Sequence, residues 1–458
     1  MGSEARLLNR SFLLMTVALW MSSCTSQATL LSGKQVCVVG AGPVGLFQAI
    51  SLLHRDPSIQ ISIWERGKER PNTINAFGIG INDRMKQSLR TVPNLLEVVQ
   101  SKGAGGLISR TDLTGQLLSF LRSNYPQCQV FFGEGCVSVD LDKKSFTTST
   151  GRVVEYNLLI AADGVNSSIR KQLVSKKCLK EQHFMNPLRW KALRIPPQTF
   201  IEPLSFQPLL HPDLQAGRVL ARYPEGHIFL LFWNGGENPG KVTNANELKH
   251  MLQEAVQGVK ARPSRLASLL PKEQRLTIQP TDKSTPRITF EDDAVDEFIT
   301  SRSGRSQIVK VDRFHDDSVA LCGDAAHGMY NLLGQGASCG MRSAQILTDC
   351  LLEEGRSWED DWFQSLNKAL ANYTERALPG AHAVTHMNLI GDLLRTKNLF
   401  LRLVSLPVLK FQQWRKKAIF QSIRDPSLSY EEIAKSNRMI IWLSKLAWRG
   451  TRIEVGTS

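Results

Sequence analysis

The 458-residue sequence predicts an α/β fold built on a parallel sheet, and three segments predict it. Each reads as a short apolar strand that runs into a turn and then a helix. The first is Val36-Cys37-Val38-Val39, followed by Gly40-Ala41-Gly42-Pro43-Val44-Gly45 and a helix through Leu53. The second is Asn157-Leu158-Leu159-Ile160-Ala161-Ala162, leading into Asp163-Gly164-Val165-Asn166-Ser167-Ser168-Ile169-Arg170. The third is Ser318-Val319-Ala320-Leu321-Cys322, then Gly323-Asp324-Ala325-Ala326-His327, a Gly334-Gln335-Gly336 turn and an apolar helix to about Leu352.

The first segment is a GxGxxG fingerprint in its required strand–turn–helix frame. Gly40 permits the tight turn, Gly42 has no side chain to block a pyrophosphate, and Gly45 lets helix and strand pack closely. The helix start offers unpaired N–H groups and a positive dipole to phosphates. A second strand, Gln60-Ile61-Ser62-Ile63-Trp64, ends at Glu65, 20 residues after Gly45. That is where this fold places the acid that binds ribose hydroxyls. Gly103-Ala104-Gly105-Gly106 and Gly235-Gly236 lack the frame, so a second nucleotide must bind without such a unit.

Composition narrows the function classes. The chain is 42% hydrophobic and 21% charged, which is globular rather than disordered or fibrous. No apolar run reaches the roughly 20 residues of a spanning helix, which excludes a polytopic membrane protein. The net charge of +14 suits an anionic ligand or an anionic membrane face. Arg395, Lys397, Arg402, Lys410, Arg415, Lys416 and Lys417 do not form a compact aromatic-interleaved tract, so nucleic acid is not expected as a partner. The eight cysteines form no CxxC pair, and neither zinc nor a disulfide framework is expected.

In this order, the three motifs resemble those of the single-component FAD-dependent aromatic hydroxylases. Within them the likeness is to the kynurenine 3-monooxygenases, through Ile108-Ser109-Arg110-Thr111-Asp112-Leu113 with Leu117-Leu118, Asn124-Tyr125-Pro126 and Ile195-Pro196-Pro197. It spans roughly Lys34 to Leu352. The resemblance implies FAD, NADPH (or NADH) as reductant, O2 and a small aromatic substrate. It places Gly40, Gly42, Val44, Gly45, Glu65, Arg66, Arg110, Asp163, Gly164, Gly323, Asp324, Gly336, Ala337 and Ser338 around FAD, with Cys136 giving a backbone contact. Asp324 would accept a ribityl hydroxyl, and the backbone at Gly336–Ser338 would meet the flavin's pyrimidine oxygen. No side chain is assigned a catalytic role and no metal ligand is expected. His327 reads as a packed imidazole and Gln335 as loop structure.

The expected architecture is a Rossmann-like FAD-binding domain (34–180 and 301–356) interrupted by a mixed-sheet substrate domain (181–300). A targeting segment (1–33) precedes it and a C-terminal helical region (357–458) follows. Residues 1–29 have Arg6 and Arg10 before the apolar Phe12–Met21 and a run of small residues, the pattern of a signal peptide or organelle presequence. Ser301–Ser306 reads as a loop. Ala369–Ala383 and Leu389–Val408 have helical spacing broken by Pro379 and Pro407. Met439–Trp448 is apolar with Trp flanks but too short to span a bilayer. For this region, packing over the substrate site is preferred to a peripheral membrane contact.

Three features depart from the family pattern. Asn331 stands where a proline is usual, Ser338-Cys339-Gly340-Met341-Arg342-Ser343 replaces an Asn-led stretch, and Val99–Leu107 is short. The last change removes an Arg and a Tyr that would meet an amino-acid carboxylate; Asn388 is a loose match to a substrate contact. The alternatives are therefore a quinone- or isoprenoid-type flavin hydroxylase or oxidase, and a catalytically silent FAD-binding protein.

Overall fold

The computed structural model describes residues 29–69, 78–101, 106–196, 198, 207–211, 214–223, 226–258, 287–353, 361–415, 417–450 and 452–455. Its first sheet has six strands in the order His315–Asp316, Val319–Leu321, Leu158–Ala161, Gln35–Val39, Gln60–Glu65 and Gln129–Phe132. All neighbours are parallel except the edge hairpin His315–Asp316 with Val319–Leu321. The central strands are continuous apolar runs because helices cover both faces. Buried Ser62 is tolerated because the Trp64 indole N–H donates to it at 3.0 Å. Helix Pro43–Arg55 buries ten of its residues.

The folded body begins before Lys34. Leu30 and Leu31 are fully buried, the Thr29 and Ser32 hydroxyls donate to Asp56, and the Trp362 indole donates to the Leu30 carbonyl at 2.7 Å. The rest of the expected targeting segment, 1–28, lies outside the described residues, as do Gly103–Gly105.

A second sheet runs Gln207–His211, Leu214–Tyr223, Gly226–Trp233, Glu181–Ile195, Gly304–Val311, with Ile453–Glu454 pairing onto Phe184 and Met185. Its pairings are all antiparallel, so the mixed character lies in the first sheet. The segment read as a loop, Ser301–Ser306, enters this sheet at Gly304, and the chain rejoins the first sheet only at His315. Gly304-Arg305-Ser306-Gln307 has no apolar alternation to mark a strand; its partner strand selects it. A Cβ on Gly304 would lie 2.6 Å from the Trp190 ring, which lies over it.

The two faces of this sheet differ. Leu193, Ile195, Phe229, Leu231 and Trp233 pack outward against helices Ala245–Gly258 and Asp292–Thr300. Trp233 is thus core. Trp190, Ala192 and Arg194 alternate onto the other face with Ile228 and Leu230, where Ala192 and Ile228 meet Leu107. Ser306 shares that face and donates to Asn331 at 3.3 Å, so it is turned toward the first domain.

Helix Trp362–Asn388 continues through Pro379, and Leu399–Trp414 through Pro407, where breaks were expected. Ala377 and Ala381 are buried on either side of Pro379, so packing holds the turn that proline cannot hydrogen-bond. The Leu389–Val408 span divides instead after Ile390–Arg395, because Asn398 caps the next helix through Leu401 N–H at 3.1 Å.

Candidate active site

The sequence-marked residues converge at the carboxyl ends of the parallel strands, where such sheets bind ligands. Gly40 has φ +108°, and a Cβ there would strike the Ala162 carbonyl. A Cβ on Gly45 would strike the Gly40 carbonyl oxygen. Gly42 caps helix Pro43–Arg55, whose first turn carries no acid. Its open N–H groups and positive dipole are left for an anion. Arg110 Nη2 reaches to 3.9 Å from the Cβ position of Gly42, so the guanidinium lies across the same helix start. The side chain is exposed and forms no ion pair among the described residues. Val44 wedges between Gly323 and Gly340, whose Cβ positions lie 3.1 and 2.6 Å from its methyls.

Glu65 accepts the Ala41 N–H at 2.8 Å through Oε2 and the Gly67 N–H at 2.6 Å through Oε1. A carboxylate offers about four lone-pair positions, so ribose hydroxyls can still donate to it. Arg66 rests its stem on Gly135, where a Cβ would lie 2.6 Å away. The Cys136 carbonyl accepts the Ser168 hydroxyl at 2.9 Å, and burial pushes the Cys136 thiol up to about 12, so it acts here through its backbone.

Two carboxylates carry unused acceptors. Asp163 Oδ2 accepts the Ser168 N–H at 2.8 Å, but its buried Oδ1 has no hydrogen-bond partner among the described residues. Burial raises this carboxyl, opposed by hydrogen bonds from the following helix start. Asp324 opens helix Asp324–His327, just after Gly323 at φ +61°. Its carboxylate is solvent-accessible yet closely surrounded by protein. That crowding raises its pKa, while Arg110 and Arg170 oppose the rise. An orphaned acceptor, a second open carboxylate, a side-chain-free turn and an uncommitted guanidinium fit the hydroxyls and phosphates of FAD.

Gly336, Ala337 and Ser338 form the first turn of helix Gly336–Glu353, which also carries no acid at its start. Their N–H groups precede the first intrahelical bond, Cys339 N–H to the Gln335 carbonyl at 2.8 Å. The Ser338 hydroxyl points away and donates to Asn82 at 3.0 Å, leaving the backbone as the contact. The turn before it is clamped on all sides. Val309 N–H donates to the Gly328 carbonyl at 3.0 Å, Leu333 N–H to Asn388 at 3.0 Å, and the Tyr430 hydroxyl to Gln335 at 3.0 Å. Asn388 thus braces this loop. Arg84 is equally committed, donating to the Ile423 and Leu428 carbonyls at 2.9 and 2.7 Å and lying 4.4 Å over the Tyr430 ring.

His327 is a packed imidazole, 2.9 Å from the Ser343 hydroxyl and against Phe314. Burial lowers it to about 4. The unfolded chain, near 6.5, then binds more protons between those values, so stability should fall as pH drops from about 6.5 to 4. A loss of about 3 kcal/mol from this group is the expected scale. Melting curves across that range, compared with His327→Gln, check it: the variant should lose part of the pH dependence.

Sequence reading missed the residue that ties the site together. Arg170 is fully buried and donates to Glu181 at 3.1 Å, the Ala325 carbonyl at 3.0 Å and the Val165 carbonyl at 2.8 Å. It joins the Asp163 turn, the Asp324 helix and the start of the second sheet. Its place in the second motif was the available signal. Gly135 and Ser168 had none beyond their neighbours. Among the described residues no group of three or more His, Cys, Asp and Glu could hold a metal ion.

Comparison with known proteins agrees with this geometry. The FAD binding domain family pattern matches residues 107–387. The chain is 24% identical to kynurenine 3-monooxygenase of Neurospora crassa over 87% of its length and 84% of that protein's. It is 26% identical to the Legionella pneumophila (strain Lens) kynurenine 3-monooxygenase, over 72% and 74%. Among solved structures, 2-methyl-3-hydroxypyridine-5-carboxylic acid oxygenase superposes with TM-score 0.56 at 18% identity, over 80% of this chain and 94% of that one. Klebsiella pneumoniae HpxO complexed with FAD gives 0.54 at 16%, over 90% and 100%. The GxGxxG cradle, the Asp163 and Asp324 acceptors and the matched pattern lead to one assignment: the chain belongs to the FAD binding domain family.

Proposed function

We propose that the protein is an FAD-dependent monooxygenase that uses NAD(P)H and O2 to hydroxylate a small, anionic aromatic substrate of the kynurenine kind. Bound FAD supplies the electron transfer and oxygen chemistry. The chain's own residues bind and orient. Arg110 and the Gly42 helix start take the phosphates, Asp163 and Asp324 the hydroxyls, and the Gly336–Ser338 backbone the ring's polar edge. Trp190, Ala192, Ile228 and Leu230 on the inner face of the second sheet wall the opposite side and exclude water.

The observation that carries the substrate class is Arg194. It shares the inner face with Ala192 and Ile228, its Nε is buried without a partner, and it forms no ion pair among the described residues. A half-buried guanidinium whose Nε has no partner among the described residues favours a carboxylate, which it can bind through paired N–H donors. It replaces the Arg and Tyr absent from the short Val99–Leu107 stretch. Arg194→Met should raise the KM for L-kynurenine about tenfold or more with a smaller change in kcat. A variant with unchanged KM would remove Arg194 from substrate binding.

Peripheral membrane contact belongs to the same proposal. Leu399, Phe400, Leu403, Leu406, Phe411 and Trp414 are exposed on one face of helix Leu399–Trp414, up to 78% at Trp414. Met439 and Trp442 are exposed as well, Lys410 lies on the same helix face, and Arg402 and Arg415 border it. Among the described residues no helix is long and apolar enough to cross a membrane. This pattern suits a helix lying in an anionic interface. The purified protein should sediment with phosphatidylserine vesicles and lose most binding in Phe400→Ser/Leu403→Ser/Trp414→Ser. Equal recovery of both proteins in the supernatant would contradict it. Residues 1–28 are proposed as a targeting segment for an organelle or the secretory pathway, tested by whether their fusion redirects a reporter.

A further inference from the structure

We infer that the chain carries a second small-molecule site, for a planar aromatic group bearing a carboxylate or phosphate. It lies behind the flavin loop, between the end of the second sheet and helices Trp362–Asn388 and Arg438–Arg449. The inference does not rest on the proposed reaction, because none of its residues belongs to the FAD cluster.

A cavity of about 210 Å³ is lined there by Phe184 and Ile308 from the sheet, His386 from one helix with its cap Leu389, and Lys445 and Trp448 from the other. An apolar cavity of about 150 Å³ holds a benzene ring, so this volume admits a ring with an attached anionic group. The apolar part is aromatic: Phe184 and Trp448 meet edge to face at 4.7 Å. Arg452 lies 5.1 and 5.3 Å from their centroids.

The polar part is cationic. Lys310, Lys445, Arg449 and Arg452 border the cavity, and among the described residues no Asp or Glu does. Arg452 pairs with Glu454 at 2.6 Å, whereas Lys310, Lys445 and Arg449 form no ion pair among the described residues. Lys310 donates to His386 Nε2 at 3.2 Å. Burial, then Lys310, then Lys445 hold His386 neutral, down to about 3, so it accepts rather than adds charge. Burial also lowers both lysines, and Lys445 lowers Lys310 further. Clustered cations around a partly apolar hole lack the counter-charge that protein sites normally supply. A ligand anion would provide it, while its ring fills the space beside Trp448. The Trp448 indole N–H reaches the Tyr330 hydroxyl at 3.4 Å, which joins this site to the flavin loop.

Titration calorimetry on the flavin-loaded full chain tests the site with benzoate, phenyl phosphate and neutral benzyl alcohol. At least one anion should bind saturably, about tenfold or more tighter than benzyl alcohol, and about tenfold weaker in Lys310→Met/Lys445→Met. Wild-type flavin content and melting temperature in the variant exclude misfolding; should it fail to fold, the single Lys445→Gln variant carries the same comparison. The tighter of the two anions distinguishes a carboxylate ligand from a phosphate. Equal binding by wild type and variant, equal binding of the neutral alcohol, or no anion binding at millimolar concentration would each overturn the proposal.

Discussion

Gly45→Ala is expected to yield a chain that no longer retains FAD. The added Cβ would sit on the Gly40 carbonyl oxygen; the Cβ is fixed directly to its Cα and the oxygen belongs to backbone, so neither can rotate away. Relief requires helix Pro43–Arg55 to move off the sheet, which removes its N–H groups from the phosphate position. Flavin content after purification should fall about tenfold or more. Gly151→Ala, in the turn between strands Ser145–Thr148 and Val153–Glu155, is the matched control: its φ is +84°, and among the described residues no atom lies within 4 Å of the new Cβ. It should cost only about 1–2 kcal/mol of backbone strain and leave FAD bound. Comparable flavin loss in both would show that lost stability, not the close approach at Gly45, empties the cradle.

The second large effect is expected at Arg170. Arg170→Met keeps much of the side-chain volume but removes three hydrogen bonds and leaves Glu181, itself nearly buried, without its cation. Removing one partner of such a pair costs about 3–5 kcal/mol. Because Arg170 spans the Asp163 turn and the Asp324 helix, the loss should appear twice. Urea unfolding should shift by that amount, and FAD affinity should fall even where the variant is folded. An Arg170→Met/Glu181→Leu double variant should recover part of the stability, since it no longer buries an unpaired charge. Recovery of stability without recovery of FAD binding would show that the arginine positions the two carboxylates.

The parallel sheet was legible in the sequence because both of its faces are buried. Val36–Val39, Leu158–Ala161 and Val319–Leu321 are therefore unbroken apolar runs, and their turns carry glycines that geometry demands. The residues expected around FAD are joined there by observed contacts: Gly40 with Ala162, Glu65 with Ala41, Val44 with Gly323, Arg110 beside Gly42. Less legible were elements defined by partners distant in sequence. Gly304–Val311 is a strand because Glu181–Ile195 pairs with it, not because of its own pattern. Helix Trp362–Asn388 overrides Pro379 through packing that no local window contains. Arg194 was invisible for the same reason. Only the register of its strand with Gly226–Trp233 puts it on the face turned toward the flavin domain.

The departures at Asn331 and Ser338 also take on physical meaning. Asn331 accepts the Ser306 hydroxyl and ties the flavin loop to the second sheet. Ser338 ties the following helix to Asn82. Both changes add anchoring to a loop that Asn388, Gln335 and Tyr430 already hold. The loop without the family's proline is thus fixed by side-chain hydrogen bonds.

Product yield per NADPH consumed tests this account most directly. The flavin-loaded protein would be given NADPH, O2 and L-kynurenine, with hydroxylated product and H2O2 measured together. The account predicts that the substrate accelerates NADPH oxidation and that most of the consumed NADPH appears as hydroxylated product. A protein that binds FAD but shows no acceleration with L-kynurenine or other aromatic acids, or that converts the NADPH to H2O2 alone, would contradict it.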